Sequence, residues 1–344
     1  MNFLIKLFLA AGLAFGFAVF AFCETLSLED IKNKAEKGDA YCQGILSGLY
    51  RRGERGLAKD YKETLKWATH SALQNNPVGI YNMAALYDLG LGVRKNKKEA
   101  QELYAQAFPG ILKLAHGGDA RAQYDFAYMH LKGKGTKADE SSAFEWMQKS
   151  AQQGCADAQF SMGAFYLKGT GVKKDEKKAF EWMLKAAENG NTMAQFYVGK
   201  MYSKGIGTKE DNKAAFKWVK KAALKEYHPA ETLLGVMFLE GWGTEKNYPF
   251  ALKYLTKTAE RGEAYAQWNL GLMYYRGQSV DQSYGKAHKW IRKAAERVDP
   301  TGMYLLGFLY ENGYGVEKDS QEALRWYSMA ASKGSKAAKK KIKK

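Results

Sequence analysis

Residues with the chemistry for catalysis are few in this chain and lie far apart. Ser283 and Lys286 match the S-x-x-K spacing in which a lysine can activate a serine nucleophile, but no K-[ST]-G segment completes such a site. The sequence has no HExxH, His-x₃-His, CxxC, G-x-S-x-G or GxxxxGK[ST] segment. The five histidines are His70, His116, His130, His228 and His288. The sequence therefore predicts no catalytic residue, no metal site and no cofactor.

The chain contains an internal repeat, and the elements of this repeat would have to position any catalytic residue. Ala143–Met147 and Ala179–Met183 both read AFEWM, 36 residues apart. Blocks of this length begin at Asp119, Cys155, Asn191, Tyr227, Glu263 and Asp299, and the last ends at Gly334. Two looser copies precede them, at about 39–76 and 77–118, the second with extra residues around Pro109. Eight copies thus cover residues 39–334.

Each block contains two helical patterns. In block 155–190 the first pattern has Ala158, Met162, Phe165 and Tyr166 on one stripe and stops at Gly169-Thr170-Gly171. The second has Ala179, Trp182, Met183, Ala186 and Ala187 on one face and stops at Gly190. A two-helix hairpin cannot bury both faces alone, so neighbouring hairpins must stack. The sequence predicts an all-α protein, an α/α superhelical solenoid of about eight helix-turn-helix repeats and sixteen or so helices.

Two positions of the repeat, each here called a column, hold residues with a structural rather than a catalytic role. The residue before each second pattern is a good helix N-cap, which makes Ser283 a cap rather than a nucleophile. These residues are Asp60, Asn96, Asp139, Asp175, Asp211, Asn247, Ser283 and Asp319. Tryptophan recurs seven residues later, and we predict that this column belongs to the core. Its members are Trp67, Trp146, Trp182, Trp218, Trp290 and Trp326.

The full pattern, A-x-A-Q-x-x-x-G-x-x-Y-x-x-G-x-G-[VT] followed by a cap and K-A-x-x-W-x-x-K-A-A-x-x-G, resembles the Sel-one-like repeat, a relative of the tetratricopeptide repeat. The resemblance implies an α/α solenoid that acts as an adaptor in protein complexes, often in the bacterial envelope. Departures at Ala127, His130, Ser279 and the insertion of the second copy predict local irregularity. A cysteine-rich branch of the family is described as penicillin-binding with weak β-lactam hydrolysis. This chain lacks that branch's paired cysteines and has only Cys42 and Cys155 after residue 23.

The N-terminus resembles a secretory signal. Leu7–Phe22 is an apolar run after Lys6, and small residues at Ala21 and Cys23 predict cleavage before Glu24. An uncleaved anchor is the alternative. We therefore predict a signal peptide at 1–23, a half-repeat that caps the array at 24–38, and a basic tail at 335–344. The protein would be periplasmic or secreted, with no stable transmembrane segment after processing.

A stripe on the first helices is the candidate binding surface. Positions 3, 7, 10 and 14 of each block vary between copies, while the core positions 4, 8, 11 and 12 stay apolar. Tyr, Arg, Lys and Asn on such a stripe favour protein contacts. The predicted binding residues are Arg121, Asp125, Tyr128, Tyr197, Lys200, Tyr265, Asn269 and Arg276.

The charge of the chain bears on the partner. The formal net charge is +17, and it stays positive without Lys6 and the lysines of 335–344. Export argues against nucleic acid, so an acidic protein or an anionic envelope surface fits better. The leading function is a non-catalytic exported scaffold that mediates protein–protein interactions in the bacterial envelope, with its protein partner on the concave face. The alternatives are a secreted host- or surface-interaction factor and, last, a β-lactam-binding or weakly β-lactam-hydrolysing protein.

Overall fold

A computed structural model of the chain describes residues 26–342. The signal peptide predicted at 1–23 lies outside the described residues. Residues 26–342 form eighteen α-helices and no strand, which confirms the predicted all-α fold. Contacts divide the chain into two units, Met1–Asn189 and Gly190–Lys344.

The helices alternate between the first and second positions of the repeat. Those of the first unit are α1 (Leu28–Glu36), α2 (Ala40–Arg52), α3 (Tyr61–Leu73), α4 (Pro77–Leu89), α5 (Lys97–His116), α6 (Ala120–Lys132), α7 (Glu140–Gln152), α8 (Ala156–Lys168) and α9 (Glu176–Glu188). Those of the second unit are α10 (Thr192–Lys204), α11 (Asn212–Leu224), α12 (His228–Glu240), α13 (Tyr248–Glu260), α14 (Ala264–Arg276), α15 (Tyr284–Glu296), α16 (Pro300–Asn312), α17 (Ser320–Ser332) and α18 (Lys336–Lys341).

Each repeat is a helical hairpin that packs on the next hairpin of its unit. Some first helices of successive repeats also contact each other directly, as α2 does with α4 and α14 does with α16. The surface of the first helices is here called the first-helix face.

The helix caps are those predicted from the sequence. In all eight capping residues, from Asp60 to Asp319, the side chain accepts a hydrogen bond from a backbone N–H of the first turn. Ser27 and Asp30 form a reciprocal capping box at the start of α1. Ser335 caps α18, and Ala338 of that helix is buried against the last repeat.

In most copies the turn inside the hairpin has two glycines, each for its own reason. Gly241 ends α12 in the left-handed conformation, at φ 76°, where glycine carries no steric penalty. Gly243, at φ 70°, also lies against the preceding second helix, and an added Cβ would stand 1.8 Å from the Asn212 carbonyl oxygen. Ser279 keeps a left-handed φ of 56° in the equivalent turn of the seventh copy.

The other departures from the pattern have different outcomes. The third copy, with Ala127 and His130, keeps a helix of the usual 13 residues. The second copy is irregular, as predicted, because its insertion lengthens α5 to 20 residues with Pro109 inside the helix.

The tryptophan column packs against the core but is not fully buried, so the prediction that it belongs to the core holds only in part. Its members are half-buried at the rim, and the residues that follow them fill the core instead. In the fourth copy this residue is Met183, which is 2% exposed and faces Gly163. An added Cβ at Gly163 would lie 2.5 Å from Met183 Cγ, so glycine admits this side chain between the two helices. The outer face of Trp182 carries Lys185, whose Nζ lies 4.6 Å from the ring centroid.

Candidate interaction surface

The predicted stripe is partly exposed and partly buried. Tyr197, Tyr265 and Arg276 are exposed, while Arg121, Tyr128 and Lys200 are half-buried. Asp125 and Asn269 are each only 4% exposed, so the prediction that they offer their side chains to a partner is wrong. The reason for Asn269 is local: its Nδ2 donates to the carbonyl of Tyr265, one turn earlier, at 2.7 Å.

In the first unit, Asp125 is part of an ion-pair bridge between two repeats. Arg121 Nη1 donates to Asp157 Oδ2 at 2.9 Å, and Arg121 Nη2 lies 3.4 Å from Asp125 Oδ1. The guanidinium also lies 4.5 Å from the ring centroid of Tyr124. Burial alone would lower the pKa of Arg121, but the two carboxylates outweigh it and hold the pKa well above its usual value. Arg121 therefore stays charged, and its charge is balanced by two carboxylates of the same chain.

Arg51 is a second cation on this face, and sequence reasoning missed it. Its Nε donates to Asn82 Oδ1 at 3.1 Å. Asn82 is held in turn, because its Nδ2 donates to the Gly44 carbonyl at 3.0 Å and to Ser47 Oγ at 2.8 Å. Asn82 occupies the same repeat position as Asp125, and this shared polar position was the signal in the sequence.

Arg51 forms no ion pair with a carboxylate of the described residues, and among carboxylates only the more distant charge of Asp125 acts on it. Burial, followed by the nearby charges of Arg52 and Arg121, lowers the pKa of Arg51. No carboxylate of residues 26–342 lies within ion-pair distance of its guanidinium. A guanidinium fixed in this way presents parallel N–H donors to a carboxylate or carbonyl of another molecule.

In the second unit the first-helix face is aromatic. Tyr265 packs perpendicular to Trp268, with ring centroids 5.0 Å apart, and Tyr197 packs likewise on Phe196 at 5.6 Å. Lys200 Nζ lies 5.4 Å from the Phe196 ring centroid. Burial, with the charge of Glu240, raises the pKa of Tyr265, so this phenol stays neutral. Tyrosines braced in this way can form contacts at a small cost in side-chain entropy.

The sequence features that suggested chemistry have structural roles. Ser283 Oγ accepts a hydrogen bond from the backbone N–H of Lys286 at 3.3 Å, which is a cap. Lys286 Nζ lies over the ring of Tyr274, 5.3 Å from its centroid. Among residues 26–342, no cluster of three His, Cys, Asp or Glu side chains could hold a metal ion. Over the same residues, no helix combines the length and apolar composition needed to cross a bilayer.

Stacked helical hairpins define an α/α repeat protein, a class whose stacked repeats form extended surfaces. Eight consecutive segments match the Sel1 repeat, and the chain belongs to the Sel1 repeat family, whose members are generally scaffolds for protein–protein interactions. The segments are residues 40–76, 77–108, 120–155, 156–191, 192–227, 228–263, 264–299 and 300–335.

Two solved structures resemble most of the chain. The protein c5321 of uropathogenic Escherichia coli, described as a protective antigen with an SLR fold, is 32% identical with a TM-score of 0.68, over 92% of this chain and 67% of that one. A Sel1 repeat protein from Oxalobacter formigenes is 28% identical with a TM-score of 0.56, over 95% and 92% of the two chains.

Two curated relatives resemble only part of the chain. The chitin synthase regulator SKT5 of Saccharomyces cerevisiae is 25% identical over 36% of this chain, and the ERAD-associated E3 ubiquitin-protein ligase component HRD3B of Arabidopsis thaliana is 30% identical over 32%. The matched segments span only 17% and 16% of those two proteins.

Proposed function

We propose that this protein is an exported, non-catalytic scaffold that binds a protein of the bacterial envelope through its first-helix face. The observation that carries the proposal is the pair of exposed, braced tyrosines, Tyr197 on α10 and Tyr265 on α14. Tyrosine and arginine are the residues that most often dominate binding energy at protein interfaces. Export rests on the signal predicted at 1–23, and a bacterial setting is supported by the two bacterial proteins of similar structure.

The first unit adds a preference for an acidic or carbonyl-rich segment. Arg51, oriented by Asn82 and without a carboxylate of its own, would pair with such a group. A partly desolvated cation gains more from pairing than an exposed one does, because less water must be displaced. The scaffold would thus form aromatic contacts with its partner through the second unit and would pair with a negative or polar group of the partner through the first unit.

The experiment compares capture of partners from an envelope extract by the native protein and by Tyr197→Ala/Tyr265→Ala. Both side chains are exposed, so we expect helicity to be preserved and stability to change by only about 0.5 kcal/mol per site. Capture should weaken by about tenfold or more, as for interface hot spots. The matched control is Leu73→Ala/Leu324→Ala, which removes exposed apolar side chains from second helices. Equal capture by the tyrosine variant and the native protein would rule out this face as the binding site.

A second candidate is a secreted host- or surface-interaction factor that uses the same face. It is supported by the likeness to c5321, which is described as a protective antigen. Cell fractionation separates the two candidates, because the envelope scaffold should stay with the cells and the secreted factor should appear in the medium.

A further inference from the structure

The second helices of the second unit carry a concentrated positive charge. On α11, α13 and α15 the only acids are Glu260 and Glu296. The ten bases of these helices, here called the basic face, are Lys213, Lys217, Lys220, Lys221, Lys253, Lys257, Lys286, Lys289, Arg292 and Lys293. With α17, which adds Arg325 and Glu322, the second helices of the second unit hold eleven bases and three acids. In the first unit, by contrast, the second helices α3, α5, α7 and α9 hold nine bases and eight acids.

One position of the repeat shows this difference most clearly. The residue before the Trp or Tyr of the second helix is an acid in the third and fourth copies, at Glu145 and Glu181. From the fifth copy onward it is a base, at Lys217, Lys253, Lys289 and Arg325. The first copy has Lys66 and the second has Glu102 at this position, so the fold accepts either charge there, and every copy of the second unit has a base. Charge that the fold does not require is available for an external partner.

Most of the charge on the basic face is not neutralised within the chain. Lys257 pairs with Glu231 at 2.6 Å, and Arg292 pairs with Glu296 at 3.0 Å. The other eight bases are exposed lysines with no carboxylate of residues 26–342 within ion-pair distance. Like charges at this density repel one another, so an external anion would relieve the repulsion.

We propose that the basic face binds peripherally to an anionic lipid bilayer. Nine of its ten bases are lysines, which act as hydrated point charges and suit a diffuse negative surface better than directional pairing. The face extends over three successive repeats, as contact with a broad surface requires. The same helices, or the residues that follow them, also carry exposed apolar side chains at Leu224, Phe250 and Val298, which can enter the headgroup region. This site is separate from the first-helix face, so the two surfaces can be tested independently.

The test measures co-sedimentation of the chain from Glu24 onward, the predicted mature form, with vesicles. One set is phosphatidylcholine alone, and the other is equal parts of phosphatidylglycerol and phosphatidylcholine. We expect binding only to the anionic vesicles, and we expect about 1 M salt to abolish it, because screening then acts within about 3 Å. The variant Lys217→Glu/Lys253→Glu/Lys289→Glu should bind at least about 100-fold more weakly, since each basic residue near such a surface contributes about fivefold and each new glutamate is also repelled by it.

The matched control is Lys137→Glu/Lys168→Glu/Lys173→Glu, which makes the same change in net charge with exposed lysines of the first unit. This control should bind the anionic vesicles to within a few-fold of the native protein, and circular dichroism should show both variants folded. Equal binding by the two triple variants would overturn the proposal, and so would equal binding to neutral vesicles. Binding to immobilised polyglutamate without binding to vesicles would instead assign the basic face to an acidic protein.

Discussion

At the residue scale, Glu231 departs from the repeat pattern and forms a different set of contacts from the residue that it replaces. Five of the other seven copies have glutamine at this position. The amide of that glutamine can donate to the end of the preceding second helix, as Gln267 Nε2 does to the Ala259 carbonyl at 3.1 Å. Glutamate cannot donate such a bond. Glu231 is instead buried under Lys257, Arg261 and His228. Burial alone would raise its pKa, but the hydrogen bonds from these three groups outweigh it and lower the pKa.

We predict that Glu231→Gln makes stability less sensitive to acid. Because the folded pKa of Glu231 lies below the unfolded value of about 4.3, its stabilisation is present above that pH and is lost as the pH falls through the folded pKa. The variant lacks this titration but regains the amide, so it should lose only about 1 kcal/mol at pH 7. Urea unfolding from pH 7 down to pH 3 measures both effects. Glu263→Gln, which changes an exposed acid, is the control and should follow the native pH profile. An unaltered profile for Glu231→Gln would contradict the prediction.

At the element scale, the residue after the tryptophan lies deeper in the hairpin than the tryptophan itself. Met183 is almost fully buried where α8 and α9 meet at Gly163, while Trp182 is half-buried beneath Lys185. The tryptophan is the conspicuous residue in the sequence, but its indole is too large for the gap that a glycine leaves between two helices.

We therefore expect Met183→Ala to destabilise the protein more than Trp182→Ala does. Truncation of the buried methionine leaves a cavity and should cost about 2–5 kcal/mol. Truncation of the half-buried tryptophan should cost less, since much of its surface already faces solvent. Urea denaturation followed by circular dichroism would compare the two variants without relying on Trp182 fluorescence. A larger loss of unfolding free energy for Trp182→Ala than for Met183→Ala would instead support the prediction that the tryptophans belong to the core.

The sequence predicted the hairpins and caps because both follow from local patterns. Asp175 caps α9 whatever the neighbouring repeats do, and Gly169 ends α8 because only its own backbone must turn. Burial on the first-helix face was harder to predict, since it depends on which groups meet across repeats. Asp125 is buried because Arg121 pairs with it, and Arg51 became a candidate only through its bond to Asn82 in the next repeat. The periodicity of a helix identifies the face but not the pairing across it.

At the scale of the whole molecule, each unit is a stack in which every repeat is stabilised by its contacts with the adjacent repeats. The described part begins with α1, whose Ile31 is buried against α2, and ends with α18, whose Ala338 is buried against the last repeat. Lys341 of α18 also pairs with Glu311 of α16 at 2.6 Å. Terminal elements of such arrays have a polar outer side and protect the apolar face of the last complete repeat.

This arrangement predicts that a destabilising substitution in the first or last helix lowers the stability of the adjacent repeats only. Ala338→Asp would put a carboxylate in a fully buried position and release α18, which exposes the last repeat to water. Amide hydrogen exchange should then show lost protection in α16 and α17, with protection in α2 and α3 unchanged. Lys336→Asp alters an exposed residue of the same helix and should change neither region. Ile31→Asp should give the mirror result, with loss in α2 and α3 alone. Equal loss of protection at both ends after either substitution would mean that the array unfolds as a single cooperative body.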